Sequence, residues 1–403
     1  MSFIINLLLF IVILGVIVFV HEFGHFIFAK ITGVYVFEFA IGMGPKIWGF
    51  KKGETEYNLR AVPIGGFCSM AGEDFDDEEL KKVPKKRRLQ AKTAWQRFLI
   101  MVFGPMNNFI LAVILLFFIA LIWGGATMNP TITEVENGSA AEKAGIVAGD
   151  KVLAINKHKV STSDDISLYL AISDPTKANT IKVEKDNGSE VTYKVKPKKI
   201  KENGQESYRY GIGIQQKKTK GLGAAFVYTW KKTGSIFKQM YITLAYLFTG
   251  GVKLNQLAGP VGIYSIVGEQ SKAGIANLLY LMAFLSINVG VINLLPIPAF
   301  DGGHILFIVI EKIKGSPVDP ELENKIHSVF LVLLMLLMVV ITFNDILRLF
   351  GWFMVTIILF IIVILFTASI TVLLYTRPKY RHVPVLVTDD VNTLFEDEKD
   401  SIK

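Results

Sequence analysis

From Phe3 to Val20 the chain carries no charged side chain, and then His21, Glu22 and His25 follow within five residues. An apolar run of about eighteen residues is long enough to cross the roughly 30 Å hydrocarbon core of a bilayer. Lipid offers no partners to backbone polar groups, so such a run must satisfy its own hydrogen bonds as a helix. Comparable apolar runs recur at about 97–123, 274–299, 327–347 and 351–376. With a mean hydropathy of +0.44, the chain reads as an integral membrane protein of several spans. The first run does not read as a secretory leader. It lacks a basic start and a small-residue cleavage site, and it ends in HEFGH.

The net charge of +8 reads as an orientation signal rather than a nucleic-acid footprint, because no basic stripe is interleaved with aromatic residues. No nucleic-acid partner is expected. Basic residues cluster at 81–88 (KKVPKKRR), at Lys312, Lys314 and Lys325, and at Arg377, Lys379 and Arg381. Placing these three segments in the cytoplasm makes the spans alternate, with the N-terminus and the segment 127–215 outside. The single cysteine, Cys68, excludes an intrachain disulfide and reads as a small buried hydrophobe.

The segment 127–215 reads as β-rich. ITEV (132–135), KVLAIN (151–156), TIKVEK (180–185) and VTYKVKPK (191–198) alternate or are β-branched, and SDDISLYLAI (163–172) reads as a short helix capped by Ser163. The segment 222–250 is apolar but carries Lys231, Lys232 and Lys238. That spacing predicts an amphipathic helix lying on membrane lipids.

His21, Glu22 and His25 form HExxH. On a helix, residues i and i+4 share a face, so both imidazoles can reach one ion. Neutral imidazoles are zinc ligands, and a glutamate beside them can take a proton from water and return it to a leaving amine. Ionisable side chains at the end of a span are costly there and mark function. A catalytic zinc needs a third protein ligand and an open position. Downstream, NLLPIPAFDGGHILF (293–307) breaks an apolar span at Pro296 and Pro298 and then presents Asp301. Broken helices at membrane depth line protein or water, as a hydrolytic site requires. Asp301 is the leading third ligand and His304, one turn on, is its rival. Glu311, His327 and His158 read as ordinary surface or interface residues.

HEFGH in the first span, GPMNN (104–108) in the second and PIPAFDGGH (296–304) in the third core span resemble the site-2 protease family. The likeness covers about residues 1–347, with three motifs in order. Its implications are an intramembrane protease of a bacterial cell membrane with Zn2+ held by His21, His25 and Asp301, and Glu22 as the catalytic acid/base. The stretch 127–215 resembles a PDZ domain, with GIGI (211–214) as the strand of its carboxylate-binding loop. Such a domain binds a peptide end by strand addition, or here serves as a rigid spacer. The family has a membrane-associated hairpin similar to residues 42–70, here turning at KKGET, which presents an edge strand to the substrate. An ordinary cytoplasmic hairpin is the other reading. Gly65, Gly66 and Phe67 are implied to contact substrate, as are Asn293, Pro296 and Pro298 of the similar clamping segment. Phe300 stands where the family usually has Leu, and the span 351–376 goes beyond the family pattern.

The expected fold class is therefore a mainly α-helical multi-span membrane protein with an inserted β-rich PDZ domain and a membrane-associated β-hairpin. Residues 1–123 form the first two core spans, 127–215 the PDZ domain, 222–250 the interfacial helix and 274–347 the remaining core spans. An additional span covers 351–376, and 377–403 is a polar cytoplasmic tail. The resemblance implies cleavage of single-span membrane proteins, such as anti-sigma factors or remnant signal peptides, at a site near the cytoplasmic side. Two rival readings are a multi-span HExxH protease of another family, with a downstream Glu or His as third ligand, and a non-catalytic PDZ scaffold.

Overall fold

A computed structural model describes residues 3–73, 78–202, 205–251, 257–319 and 321–348. The expected span 351–376 and tail 377–403 lie outside the described residues. The chain divides into two compact units after Asp345, and the contacts reported below lie within Met1–Asp345. Helix α1 (Phe3–Ile31) leads into a hairpin of β1 (Val36–Lys52) and β2 (Thr55–Met70), and short 3-10 turns precede α2 (Ala94–Trp123). The polar segment contains β3 (Gly125–Ala126), β4 (Glu134–Val135), α3 (Ala140–Ala144), β5 (Lys151–Ile155), β6 (His158–Lys159) and α4 (Ser163–Ile172). It continues through β7 (Asn179–Glu184), β8 (Glu190–Val195), β9 (Lys198–Glu202), β10 (Gln205–Arg209), β11 (Ile212–Gly213) and β12 (Lys218–Thr219). Then come α5 (Leu222–Phe248), α6 (Pro260–Ala273), α7 (Ile275–Asn293), α8 (Asp301–Lys314) and α9 (Glu321–Arg348). Among the described residues, α1, α2, α7 and α9 are long and apolar enough to cross a membrane.

Helix α1 is apolar all round, so what it buries is decided by its neighbours. The buried side is one stripe: Phe10, Ile13, Ile17, His21, Gly24 and His25. These recur every three or four residues and therefore share a face. The two histidines of HExxH thus lie on the packing face of the span. Helix α2 starts at a capping box in which Thr93 and Gln96 exchange hydrogen bonds. It meets α1 backbone to backbone: a Cβ on Gly24 would stand 2.1 Å from the Phe103 carbonyl oxygen. Phe28 stacks on Phe103 beside this crossing, with ring centroids 3.6 Å apart.

The hairpin turns at Gly53, whose φ is +65°, within the KKGET segment. It begins at Val36, earlier than the expected residue 42. Both strands bend, with positive φ at Gly42, Gly44 and Gly65. Residues 36–41 lie opposite residues 66–70, residues 38–41 also lie opposite 56–59, and residues 48–52 lie opposite 55–59. Two long strands thereby build a compact sheet with Gly66–Met70 along one side. Cys68 is buried on it among Val36, Phe39 and Met70, as a small hydrophobe would be.

Between α7 and α8 the chain breaks at residues 294–300 and refolds against the next helix. A Cβ on Gly302 would meet the Leu295 carbonyl oxygen at 2.1 Å, and one on Gly303 would meet Pro298 Cα at 2.5 Å. The two glycines of FDGGH are what let this loop lie flat on the first turn of α8, where Asp301 sits.

The polar segment has its own core of Ile132, Ile146, Val152, Ile155, Ile166, Ile181, Val183 and Tyr210. Its main sheet has the order β6-β5-β7-β8, and a separate ladder joins β11 to β4. The expected helix forms as α4, but Thr162 rather than Ser163 is its cap: Thr162 and Asp165 make a reciprocal capping box. Ser163 is already helical because the chain is still extended at Thr162, whose side chain then reaches the Asp165 N–H. Helix α5 packs against α2, α7, β3 and α4. Two of its three lysines engage α4: Lys232 Nζ lies 2.7 Å from Asp164 and Lys238 Nζ lies 2.9 Å from Asp165.

Candidate metal centre and active site

One stretch of α1, the end of β2 and the first turn of α8 meet at a cavity of about 460 Å³ lined by His21, Glu22, His25, Phe67, Cys68, Ser69, Met70, Glu73 and Asp301. His21 Nε2 and His25 Nε2 are 3.2 Å apart. Asp301 Oδ2 is 3.2 Å from His21 Nε2, and Asp301 Oδ1 is 3.4 Å from His25 Nε2. Zinc bonds of about 2.0–2.1 Å put tetrahedral ligand atoms about 3.3 Å apart. The two Nε2 atoms have that spacing, and the Asp301 carboxylate places one oxygen at it from each of them. Asp301 Oδ2 is also buried without a hydrogen-bond donor, as expected of an oxygen built to face a cation.

The outer nitrogens of both imidazoles are held by α2. His25 Nδ1 lies 2.8 Å from the Ile100 carbonyl oxygen, so it donates there and leaves Nε2 as the free electron pair. His21 Nδ1 lies 3.4 Å from the Asn108 side-chain amide, drawn with its nitrogen inward, while Asn108 Oδ1 is buried without a partner. Turning that amide by half a turn resolves both facts. Oδ1 then accepts from His21 Nδ1–H, and His21 Nε2 is free for a metal. Asn108 is itself tied down, because the Ser286 hydroxyl of α7 donates to its carbonyl at 2.8 Å. Asn107 donates to the Val20 carbonyl of α1 at 3.3 Å. The two asparagines of GPMNN thus contact α1 at His21 and Val20, while the outer nitrogen of His25 is held by Ile100, outside the motif.

Glu22 faces the same cavity from the other side of His21. The hairpin runs alongside it: a Cβ on Gly66 would lie 3.5 Å from Glu22 Cγ and 3.1 Å from Val18. Phe67 lines the cavity, and Arg60 stacks over its ring at 5.0 Å. Asn293, the last residue of α7, brings its amide nitrogen within 3.5 Å of His21 Nε2. Gly65 instead packs on Met43, Pro298 is buried under Gly303, and Pro296 is exposed on the loop. His304 points away from the cluster, toward Glu323 and His327 of α9. Glu311 pairs with Arg97 of α2 at 2.6 Å, and His158 stacks on Tyr169. The contributions of Ile100, a backbone carbonyl, and of Gly24 and Gly104 to the site carry no chemical signature of their own in the sequence.

The model of peptidase family M50 matches residues 9–337. The chain belongs to that family. Its relatives include the regulator of sigma-W protease RasP of Bacillus subtilis, 34% identical over 86% of this chain and all of that protein. The zinc metalloprotease RasP of Bacillus licheniformis is 35% identical over 85% of this chain and 98% of its own length. This M50 peptidase is a zinc metalloprotease of the membrane, as the motifs shared with the site-2 protease family implied. The apolar helices around the cavity make it an intramembrane enzyme rather than a soluble one carrying an anchor.

Proposed function

We propose that this peptidase hydrolyses peptide bonds in the transmembrane segments of single-span membrane proteins, with anti-sigma factors and remnant signal peptides as the substrate classes. His21, His25 and Asp301 hold the zinc, and Glu22 is the acid/base. One observation carries the reading: the two Nε2 atoms are 3.2 Å apart and each has an oxygen of the Asp301 carboxylate within 3.2–3.4 Å, with Glu22 between the two histidines in sequence and the strand Gly66–Met70 beside it. Zinc bound there supplies Lewis-acid polarisation of the scissile carbonyl and makes water a competent nucleophile at neutral pH. Glu22 accepts the proton of the attacking water and delivers it to the leaving amine. Asn108 and the Ile100 carbonyl keep both imidazoles in the ligating tautomer.

A substrate helix must unwind before its amide can approach such a site. Among the described residues, Gly66–Met70 has only β1 as a ladder partner, while Phe67–Met70 lines the cavity. An extended substrate added to that edge lies along Glu22. Gly66, Phe67 and Asn293 are the substrate contacts best supported by distance, and Gly65, Pro296 and Pro298 shape the two segments that carry them. The 127–215 segment is read as a PDZ domain that filters peptide ends. A groove of about 360 Å³ beside β11, lined by Leu170, Tyr210 and Ile212 among others, supports that reading. The enzyme is placed in a bacterial cell membrane with this domain outside the cell and the metal centre toward the cytoplasm. The relative named as a regulator of sigma-W protease supports the anti-sigma-factor class.

The test is cleavage of a tagged single-span substrate by the wild type and by Glu22→Gln, with zinc quantified in both. The expected result is unchanged zinc and at least 1,000-fold slower cleavage, the loss typical of an acid/base residue on this scale. Full cleavage by the variant would sink the mechanism. A zinc-free wild type that cuts nothing would favour a non-catalytic scaffold.

A further inference from the structure

His304 and His327, two histidines without a role in the reaction, face each other outside the active-site cavity. Their rings stack with centroids 4.3 Å apart. Glu323 lies between them: its Oε1 is 3.5 Å from His304 Nδ1 and 3.9 Å from His327 Nε2. Glu323 and His327 are one turn apart on α9 and so share a face, while His304 projects from α8. The three donor atoms all lie within 4.8 Å of one another.

The arrangement is loosely bonded within itself. His327 Nε2 is shut off from solvent and has no hydrogen-bond partner. The only contact of His304 Nδ1 in the cluster, at 3.5 Å, is at the limit of a hydrogen bond. Two imidazole nitrogens and a carboxylate oxygen that converge at these distances, one of the nitrogens buried without a hydrogen-bond partner, suit a cation. Two nitrogens and one oxygen form a donor set for the zinc class, not for calcium or magnesium. A small cavity of about 70 Å³ lined by His304 and Glu323 leaves room for water to complete the coordination.

We propose that His304, Glu323 and His327 form a second zinc-class site that clasps α8 to α9. In this site Glu323 stands 3.5 and 3.9 Å from its two histidines, farther than the 3.2 and 3.4 Å of Asp301 from His21 and His25. Filling it therefore requires α8 and α9 to close slightly, so it binds more weakly than the catalytic centre. It is coupled to that centre in two ways. His304 follows Asp301 by three residues on the same helix, and Glu73 lines both cavities.

The experiment is zinc binding to the full-length protein in detergent, by equilibrium dialysis across buffered free zinc, with Co2+ absorption as a second readout. Wild type is expected to take up two equivalents, the second with at least 100-fold weaker affinity. His327→Gln and Glu323→Gln are expected to take up one and to lose the weaker Co2+ spectrum while keeping the tighter one. His21→Gln is expected to lose the tighter equivalent and keep the weaker, which separates this site from the catalytic assignment. Glu323→Gln, a near-isosteric change in the first turns of α9, keeps the test decisive if the histidine variant does not fold. Saturation of the wild type at one equivalent, or two full equivalents in both α9 variants, overturns the proposal.

Discussion

The Cβ atom that Gly104 lacks would stand 2.2 Å from His25 Nε2, the atom proposed above as a metal ligand. The contact is inside any van der Waals limit, so a side chain there must push the imidazole away or part the two helices. Gly104→Ala is expected to lose zinc by at least tenfold in affinity, and cleavage with it, while helical content by circular dichroism is unchanged. Gly15→Ala on α1, where a Cβ would meet nothing within 4 Å, is the control and keeps both.

Asn108 is expected to act through the metal, not through packing. Asn108→Ala removes the partner of His21 Nδ1 and frees the ring to turn. Outer partners of this kind are worth about 10–100-fold in metal affinity. Asn108→Asp restores an acceptor at the same place and is expected to recover most of that loss. Zinc affinity measured by competition with a chelator decides it: wild-type affinity in the alanine variant would remove Asn108 from the site.

Glu54, at the hairpin turn, ties three elements together. Its carboxylate receives Arg87 at 2.6 and 2.8 Å and Lys30, near the end of α1, at 2.7 Å. The Arg87 guanidinium, followed by Lys30, holds the Glu54 carboxyl down to about 2 against an ordinary value of 4.5. A depressed carboxylate adds stability that is fully present above about pH 4.5 and is lost as pH falls toward about 2. Arg87 is partly exposed, so screening reduces the effect to about 1–2 kcal/mol. Thermal unfolding of wild type and Glu54→Gln should therefore differ at pH 7 and converge between pH 4.5 and pH 2. Equal melting temperatures at pH 7 would show that the triad contributes nothing.

Asp164 latches the polar segment to α5, accepting from Lys232 and from the Ser235 hydroxyl, both at 2.7 Å. Lys232 Nζ also sits 5.1 Å from the centre of the Tyr280 ring of α7 and is largely shielded from water. Asp164→Ala leaves that ammonium without its carboxylate, a change that costs about 3–5 kcal/mol for a fully buried pair and less here. Hydrogen exchange in α4 and along residues 228–240 is expected to rise, with the core of the segment around Ile155 and Ile181 still protected. Unchanged exchange in α4 would mean the latch is not what holds it.

The sequence by itself determined the chemistry and the material. Uncharged runs such as 3–20 can only be helices in lipid, and the four-residue spacing of His21 and His25 puts both on one helical face. Pro296, Pro298 and the glycines after Asp301 mark the break that lets a helix begin with a carboxylate. The strands of 151–156, 180–185 and 191–198 were legible because their alternation matches a half-buried sheet, whereas the cap of α4 shifted by one residue to Thr162. Tertiary structure alone decided what these pieces do together. Which side of the featureless α1 is buried depends on where α2 crosses it, and that crossing rests on two glycines that carry no chemistry. The tautomer of His25 is set by the carbonyl of Ile100, a group every residue has. Asp301 rather than His304 lies beside His21 and His25 because one turn of α8 faces those histidines and the next faces α9. Periodicity ranks residues along a chain, but only packing brings donor atoms 280 residues apart to within 3.2 Å of each other.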